Sequence, residues 1–411
     1  MARNRVNRTG EHPGPPDEPA TGPVPRPDPP SLSWFDPRQF DWEVYLLASI
    51  PVAAGASWLN APPVVRFLAA GVAIIPLAGL MGKATEQLAH RLGSAIGGLL
   101  NATFGNAAEL ILALFAMSRG LDGVVKASLT GSIIGNLLLV LGASLFAGGL
   151  KFPIQRFNRT AAGAGSTLMV LATIGLIVPA LFHNLVPEGR ALEHKVSVAV
   201  CVILVFTYIL SLVFSLVTHR DLISGLKDEE AAAISGATWG LRHASAVLLV
   251  ATAFVAWMSE ILVGAVEATG DELGLNPVFM GVFLVAIVGN AAEHSTAIIM
   301  ALKNQMDLAV GIALGSALQV ALFVAPVLVF ASYLRETPMD LLFSTLEVIA
   351  VILAVLVARM VAEDGESNWL EGAMLLMVYA ILGVTFFYLP GKTSHREAEG
   401  VAAPAAAHAP G

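Results

Sequence analysis

Between residues 42 and 390 the chain alternates long apolar runs with short polar breaks. Eleven runs are long enough to cross, or nearly cross, a bilayer core of about 30 Å. They lie at 42–59, 64–82, 94–117, 124–150, 160–182, 195–217, 242–268, 277–302, 307–333, 340–361 and 369–390. Each predicts a helix, because lipid offers no partner to open backbone groups. The run 42–59 is the weakest, interrupted by Pro51 and Gly55. The longest internal polar stretch, 218–241, follows the sixth run and contains Asp228, Glu229 and Glu230. It reads either as a solvated linker or as a cytoplasmic acidic patch that attracts a cation. Setting 42–59 aside, five runs stand on each side of it.

The two sets of five carry the same motifs. "GNAAE" occurs at 105–109 and again at 289–293. "GSIIGN" from Gly131 and "GSALQV" from Gly315 keep the same offset. Upstream, Glu86 and Glu267 each stand seven residues before a glycine, Gly93 and Gly274, at a slightly shorter offset. The expected fold is therefore an all-α polytopic membrane protein of about 11 transmembrane helices: one N-terminal helix (42–59) plus two five-helix repeats (64–217 and 242–390). An odd number of spans per repeat makes the second enter from the opposite face, so the repeats are inverted. That is a transporter architecture, with its substrate site near the midplane where the halves meet.

Composition supports a membrane class. Of 411 residues, 56% are hydrophobic and 13% charged, with mean hydropathy +0.73, against about 25% charged in ordinary soluble domains. The net charge of -8 gives no sign of nucleic-acid binding. The one cysteine, Cys201, sits in an apolar run and allows no internal disulfide. Residues 1–40 hold ten prolines and five arginines and read as a disordered arm without the apolar core of a signal peptide. Residues 391–411 read as a flexible tail. With the N-terminus in the cytoplasm, 15 Lys and Arg fall on the cytoplasmic side and 8 on the other, five of the 15 being in the arm. That vote places the chain in a cytoplasmic membrane with its N-terminus inside.

Glu109 lies fifteen residues from one end of its run and eight from the other. An ionised carboxylate at that depth costs at least about 2.5–3.5 kcal/mol, and Glu293 repeats it. Asn106 and Glu109 are at i and i+3, so both oxygens share a helix face; Asn290 and Glu293 do the same. Gly97, Gly98 and Gly105 weaken the first helix, and a break there frees backbone carbonyls, of which Gly105 and Gly289 are the candidates. Two carboxylates, two amide oxygens and freed carbonyls form an all-oxygen set, suited to a hard cation such as Ca2+ at six to eight ligands. Ser132 and Asn136 share a face of the following helix. In the second half Ser316 matches Ser132, Val320 matches Asn136, and Gln319 matches Gly135, so the site is pseudo-symmetric. These polar groups either support the ligands or bond helices together. His294, where the first half has Leu110, is either a histidine bonded between helices or a proton carrier. Glu86 and Glu267 are either vestibule and gate carboxylates or snorkelling surface charges; Glu260 reads as structural or vestibular.

Two nearby carboxylates without a cation repel and take up protons; a divalent cation displaces those protons. One pair of side chains then holds Ca2+ or protons, which is an antiport mechanism once the site opens to each side in turn. The quoted motifs, "GNAAELILALFA" with "GSIIGNLLLVLG" and "GNAAEH" with "GIALGSALQVALFVAPVL", resemble the two repeats of the Ca2+/H+ exchanger (CAX) family of the Ca2+/cation antiporter superfamily. The resemblance runs from about 64 to 390. It implies an inverted five-plus-five bundle in which Glu109 and Glu293 bind Ca2+ and exchange protons. Asn106, Asn290, Ser132 and Ser316 would lie around them, and Glu86 and Glu267 would match the family's further glutamates. The expected activity is export of cytosolic Ca2+ in exchange for H+. No enzyme activity and no cofactor are expected; the substrates are Ca2+ and protons, the bilayer is the surrounding partner, and a homo-oligomer is compatible with the sequence. A Na+-driven exchanger of the same fold is the alternative. An intramembrane hydrolase lacks its HExxH, and a channel has no need of matched inverted halves.

Overall fold

The computed structural model describes residues 46–92, 100, 103–186, 192–219 and 239–390. The Pro-rich arm, the C-terminal tail, Gly97, Gly98 and most of the acidic linker lie outside them.

The described chain runs α1 (Ser49–Trp58), α2 (Pro63–Leu92), α3 (Ala107–Ser118), α4 (Asp122–Lys151), β1 (Gln155–Arg156), α5 (Arg159–Leu185), α6 (Glu193–Thr218), α7 (Leu241–Leu273), α8 (Pro277–Gly289), α9 (Ala291–Leu302), α10 (Met306–Ser332), α11 (Thr345–Val361), β2 (Glu366–Ser367) and α12 (Trp369–Phe387). A helix therefore stands at each of the eleven predicted places. Seven are long and apolar enough to cross a membrane, and α8 with α9 forms an eighth span bent by 61°. The remaining three, α1, α3 and α11, are shorter.

Helix starts follow local chemistry. The Asn158 side-chain Oδ1 accepts from the N–H groups of Thr160 (3.0 Å) and Ala161 (3.1 Å) and caps α5. Ser344 with Glu347 and Asn368 with Glu371 form reciprocal capping boxes on α11 and α12. Asn276 followed by Pro277 opens α8. Gly274, at φ +67, ends α7 in the left-handed conformation that glycine adopts without strain.

The extents of three helices are corrected. The runs 64–82 and 242–268 belong to longer helices, Pro63–Leu92 and Leu241–Leu273, because each continues past its apolar part as a polar-faced helix packed along the other. The run 340–361 is helical only from Thr345; residues 340–344 are extended up to the Ser344 cap. The all-α fold expected is borne out, with one small addition: β1 and β2 pair antiparallel, Gln155 with Ser367 and Arg156 with Glu366, where the loops after α4 and α11 meet.

The most buried elements are α4 and α10, with α8 crossing α4. The crossing needs glycine: a Cβ on Gly131 would sit 2.2 Å from the Val282 carbonyl oxygen. Outer helices show apolar faces, as on α6 at Val202, Ile203, Phe206, Ile209 and Leu210, which suits lipid contact. Cys201 is fully buried on the inward side of α6.

Candidate functional site

The GNAAE motif breaks its helix the same way twice. Asn106 (φ -101, ψ 20) and Asn290 (φ -98, ψ 10) leave helical geometry immediately before α3 and α9, each of 12 residues. The first break falls at Gly105–Asn106, as expected from Gly105; the second falls at Asn290, between α8 and α9. Glu109 and Glu293 consequently stand in the first turn of a helix that starts inside the membrane. Unsatisfied N–H groups and the positive end of the helix dipole favour a carboxylate there. The second motif packs against the first, with Gly289, four residues before Glu293, facing the Glu109 side chain.

Around them the two halves are hydrogen-bonded together. Ser132 donates to Glu109 Oε1 (2.9 Å). Asn290 Nδ2 donates to Ser132 Oγ (2.8 Å) and to the Ala286 carbonyl (2.8 Å). Asn136 Nδ2 donates to Asn290 Oδ1 (3.0 Å) and to Ser316 Oγ (2.8 Å). Asn106 Nδ2 donates to Gln319 Oε1. Hydrogen bonds thus unite Glu109, Ser132, Asn290, Asn136 and Ser316 in one network, and Asn106 with Gln319 forms a second link between the halves. The pseudo-symmetric mismatch serves both: Gln319 and Asn136 sit in unmatched positions, yet each reaches an asparagine of the opposite half.

Hydrogen bonding also sorts the oxygens. Asn290 spends both its oxygen and its amino group inside the network. Among the residues expected at the site, buried oxygens with no protein partner are Glu109 Oε2, Glu293 Oε2, Asn106 Oδ1 and Asn136 Oδ1. Two carboxylate and two amide oxygens left over on the two motifs and the helix after the first are the kind of ligand a hard cation takes, stripping its own water to do so. Among the described residues no group of three or more His, Cys, Asp and Glu is placed to hold a metal.

Gly289 closes against Glu109, since a Cβ there would lie 3.1 Å from Glu109 Cγ. His294 is half-buried next to Glu293, and its Nε2 is buried with no protein partner. Glu86 is half-buried and Glu267 exposed; each stands six residues before the last residue of its helix, α2 or α7. Glu260 is exposed on α7. These three stand on the long helices α2 and α7.

One buried carboxylate escaped the sequence reading. Glu347, 4% exposed, accepts from Thr130 Oγ1 (3.0 Å) and from the Ser344 N–H (2.9 Å). The Ser-x-x-Glu capping pattern at 344–347 was the signal available for it. It continues a ladder on one face of α4: Asp122 meets Arg335 (2.9 Å), Lys126 meets Asp340, and Thr130 meets Glu347.

Two inverted five-helix halves, each with a helix broken just before a half-buried carboxylate whose Oε2 is buried, define a secondary-transporter class whose site lies where the halves meet. The chain belongs to the sodium/calcium exchanger protein family, whose model matches residues 63–217 and 243–388. It is 46% identical over 347 residues to the Ca2+/H+ antiporter ChaA of Bacillus subtilis (strain 168), spanning 84% of this chain and 98% of that one. It is 44% identical over 357 residues to the Ca2+/H+ antiporter of Aphanothece halophytica, spanning 84% and 96%. The solved structure of native YfkE superposes with a TM-score of 0.74 at 43% identity, covering 84% of this chain and all of that one (100%). The crystal structure of the H+/Ca2+ exchanger CAX shares the fold, with a TM-score of 0.63 at 14% identity over 84% and 91% of the two chains. The resemblance to Ca2+/H+ exchangers expected from the motifs is borne out.

Proposed function

We propose that this chain is a secondary antiporter that moves Ca2+ out of the cytosol in exchange for protons. The observation that carries the reading is the set of four spare buried oxygens, two of them on glutamates placed by the same motif in opposite halves. Relatives that match across nearly their whole length are Ca2+/H+ antiporters, which supports both the cation and the counter-ion.

The chemistry follows from burial. Two carboxylates in a buried site repel when both are charged. The pair is stable either with protons on the oxygens or with a divalent cation between them, and each state excludes the other. Glu109 and Glu293 are the groups that bind Ca2+ or carry protons. Asn106 and Asn136 supply neutral oxygens, and Ser132 holds Glu109 in place. Gln319 fixes Asn106 so that Oδ1 remains available. Asn290 and Ser316 hold the halves in register. Alternating access lets the site load protons from outside and Ca2+ from the cytosol, the inward proton gradient driving each exchange. The membrane is the cytoplasmic one, with the N-terminus inside, in line with the Lys and Arg distribution.

The test is Ca2+ uptake into everted vesicles driven by a proton gradient. Glu109→Gln removes one ionisable oxygen while keeping shape, and it is expected to abolish uptake, as is Glu293→Gln. Normal proton-driven uptake by either variant would sink the assignment. Uptake that follows a Na+ gradient and ignores pH would establish the Na+-coupled alternative instead.

A further inference from the structure

The C-termini of the two short repeat helices are held in a matched way, and in each case by the other half. In α3 the Met117 carbonyl accepts the Gly120 N–H (3.0 Å); at the matching place in α9, the Ala301 carbonyl accepts the Asn304 N–H (3.0 Å). Gly120 (φ +75) and Asn304 (φ +62) are the matched left-handed residues that end the two helices. Each of these carbonyls takes a second bond from a side chain of the opposite half. Arg335, just after α10, donates through Nη1 to Met117 (2.5 Å). Gln155, after α4, donates through Nε2 to Ala301 (2.9 Å). Lys151, which occupies in the first half the repeat position that Arg335 holds in the second, adds a bond to the Leu302 carbonyl (2.9 Å).

The caps are themselves anchored. Arg335 forks onto both oxygens of Asp122 (2.9 and 2.9 Å), the first residue of α4. Gln155 is 1% exposed and also donates to Asn304 Oδ1 (3.0 Å), bracing the left-handed asparagine. It reaches this place only because Gly148 has no side chain: a Cβ there would lie 2.0 Å from Gln155 Oε1.

We infer that Arg335 and Gln155 are positioning residues for transport: each fixes the axial position of the opposite half's repeat helix, and through it the placement of Glu109 or Glu293. The helix is the lever. Met117 lies eight residues from Glu109, as Ala301 does from Glu293, which is about 12 Å of rigid rod at 1.5 Å per residue. A slide at the capped end therefore arrives undiminished at the carboxylate. Electrostatics work in the same sense, with an anion in the first turn and a cation or donor at the last. The cross-linkage also makes the two carboxylates answer to one another, because each helix moves only as the opposite half allows.

This rests on the reading of Glu109 and Glu293 as the Ca2+ ligands, and the experiment separates the two. Ca2+-dependent proton flux is measured in proteoliposomes for Arg335→Gln, Arg335→Lys and Gln155→Leu, with Glu109→Gln alongside. Arg335→Gln should raise the half-saturating Ca2+ concentration about fivefold, the lower end of couplings between linked sites, with maximal flux per folded molecule kept within about twofold. Arg335→Lys, which keeps a charged donor as Lys151 does, should restore most of the affinity even where Arg335→Gln folds poorly. Gln155→Leu should weaken Ca2+ binding in the same direction. Wild-type half-saturation in Arg335→Gln, or an Arg335→Lys as impaired as Arg335→Gln, would overturn the positioning role while leaving the ligands in place. Normal flux in Glu109→Gln would instead remove the site reading beneath it.

Discussion

Asn136 and Asn290 tie the halves together at the point where a cation would sit, and their bond is open to direct measurement. Asn136 is fully buried (0% exposed) and Asn290 nearly so (1%). Both protons of Asn136 Nδ2 are used, on Asn290 Oδ1 at 3.0 Å and Ser316 Oγ at 2.8 Å. Replacing Asn136 by leucine keeps the volume close and removes both donors. Asn290 Oδ1 is then stranded at a buried contact between the halves. Loss of two bonds with a stranded acceptor should cost about 2–3 kcal/mol. The pairwise part is smaller: side-chain bonds between membrane helices are worth about 0.6 kcal/mol on average and up to about 1.7, since the unfolded chain in the membrane also finds partners. This bond is well formed and fully buried, so a coupling of about 1–1.7 kcal/mol is expected, the upper part of that range. A double-mutant cycle with Asn136→Leu and Asn290→Leu isolates it, because bonds that Asn290 makes to Ser132 and Ala286 cancel around the cycle. The readout is equilibrium unfolding in mixed micelles with increasing dodecyl sulfate. A coupling below about 0.3 kcal/mol, the additivity error of such cycles, would refute the claim that this pair joins the halves.

Gly131→Ala should destabilise the protein by about 1–3 kcal/mol or more, because its Cβ would lie 2.2 Å from Val282 O and 2.5 Å from Val282 Cα, both backbone atoms; an unchanged thermal midpoint would show slack where the structure has none. Gly289→Ala is milder, pressing on Glu109 Cγ at 3.1 Å. It should keep the fold and raise half-saturating Ca2+ about two- to tenfold, the effect of an off-rotamer side chain, and an unchanged value would mean that Glu109 relaxes freely. Protons and Ca2+ compete for the same carboxylates, so lowering the pH on the Ca2+-loading side should raise half-saturating Ca2+, by up to about tenfold per pH unit for each proton displaced. A pH-independent half-saturation, read from initial rates, would contradict a shared site.

The repeat, the two carboxylates and the eleven helical places were legible in the sequence, because they depend on local pattern. Apolar length gives a span, a Gly-Asn motif gives a break, and one constant offset relates the halves wherever the loops keep their length. Glu86 and Glu267 were found only as a gapped match, and their helices run past the apolar runs because packing between α2 and α7, not hydropathy, holds their ends. Glu347 stayed hidden because a capping glutamate looks like any surface helix start until Thr130 is seen against it.

What tertiary structure alone decided is which polar atoms are spent and which are spare. Asn106 and Asn290 are identical in motif and backbone, and the sequence treats them alike. In the fold Gln319 takes the amino group of Asn106 and leaves its oxygen without a partner, while Asn136 takes the oxygen of Asn290. The partners come from positions 213 and 154 residues away. An amide carries both donors and an acceptor, and no local pattern says which of them a distant helix will satisfy. The sequence determined that a carboxylate stands twice in an apolar run behind the same four residues. The fold determined that the two half-sites are not equivalent, because each is completed by the other half, and the two halves bring different side chains.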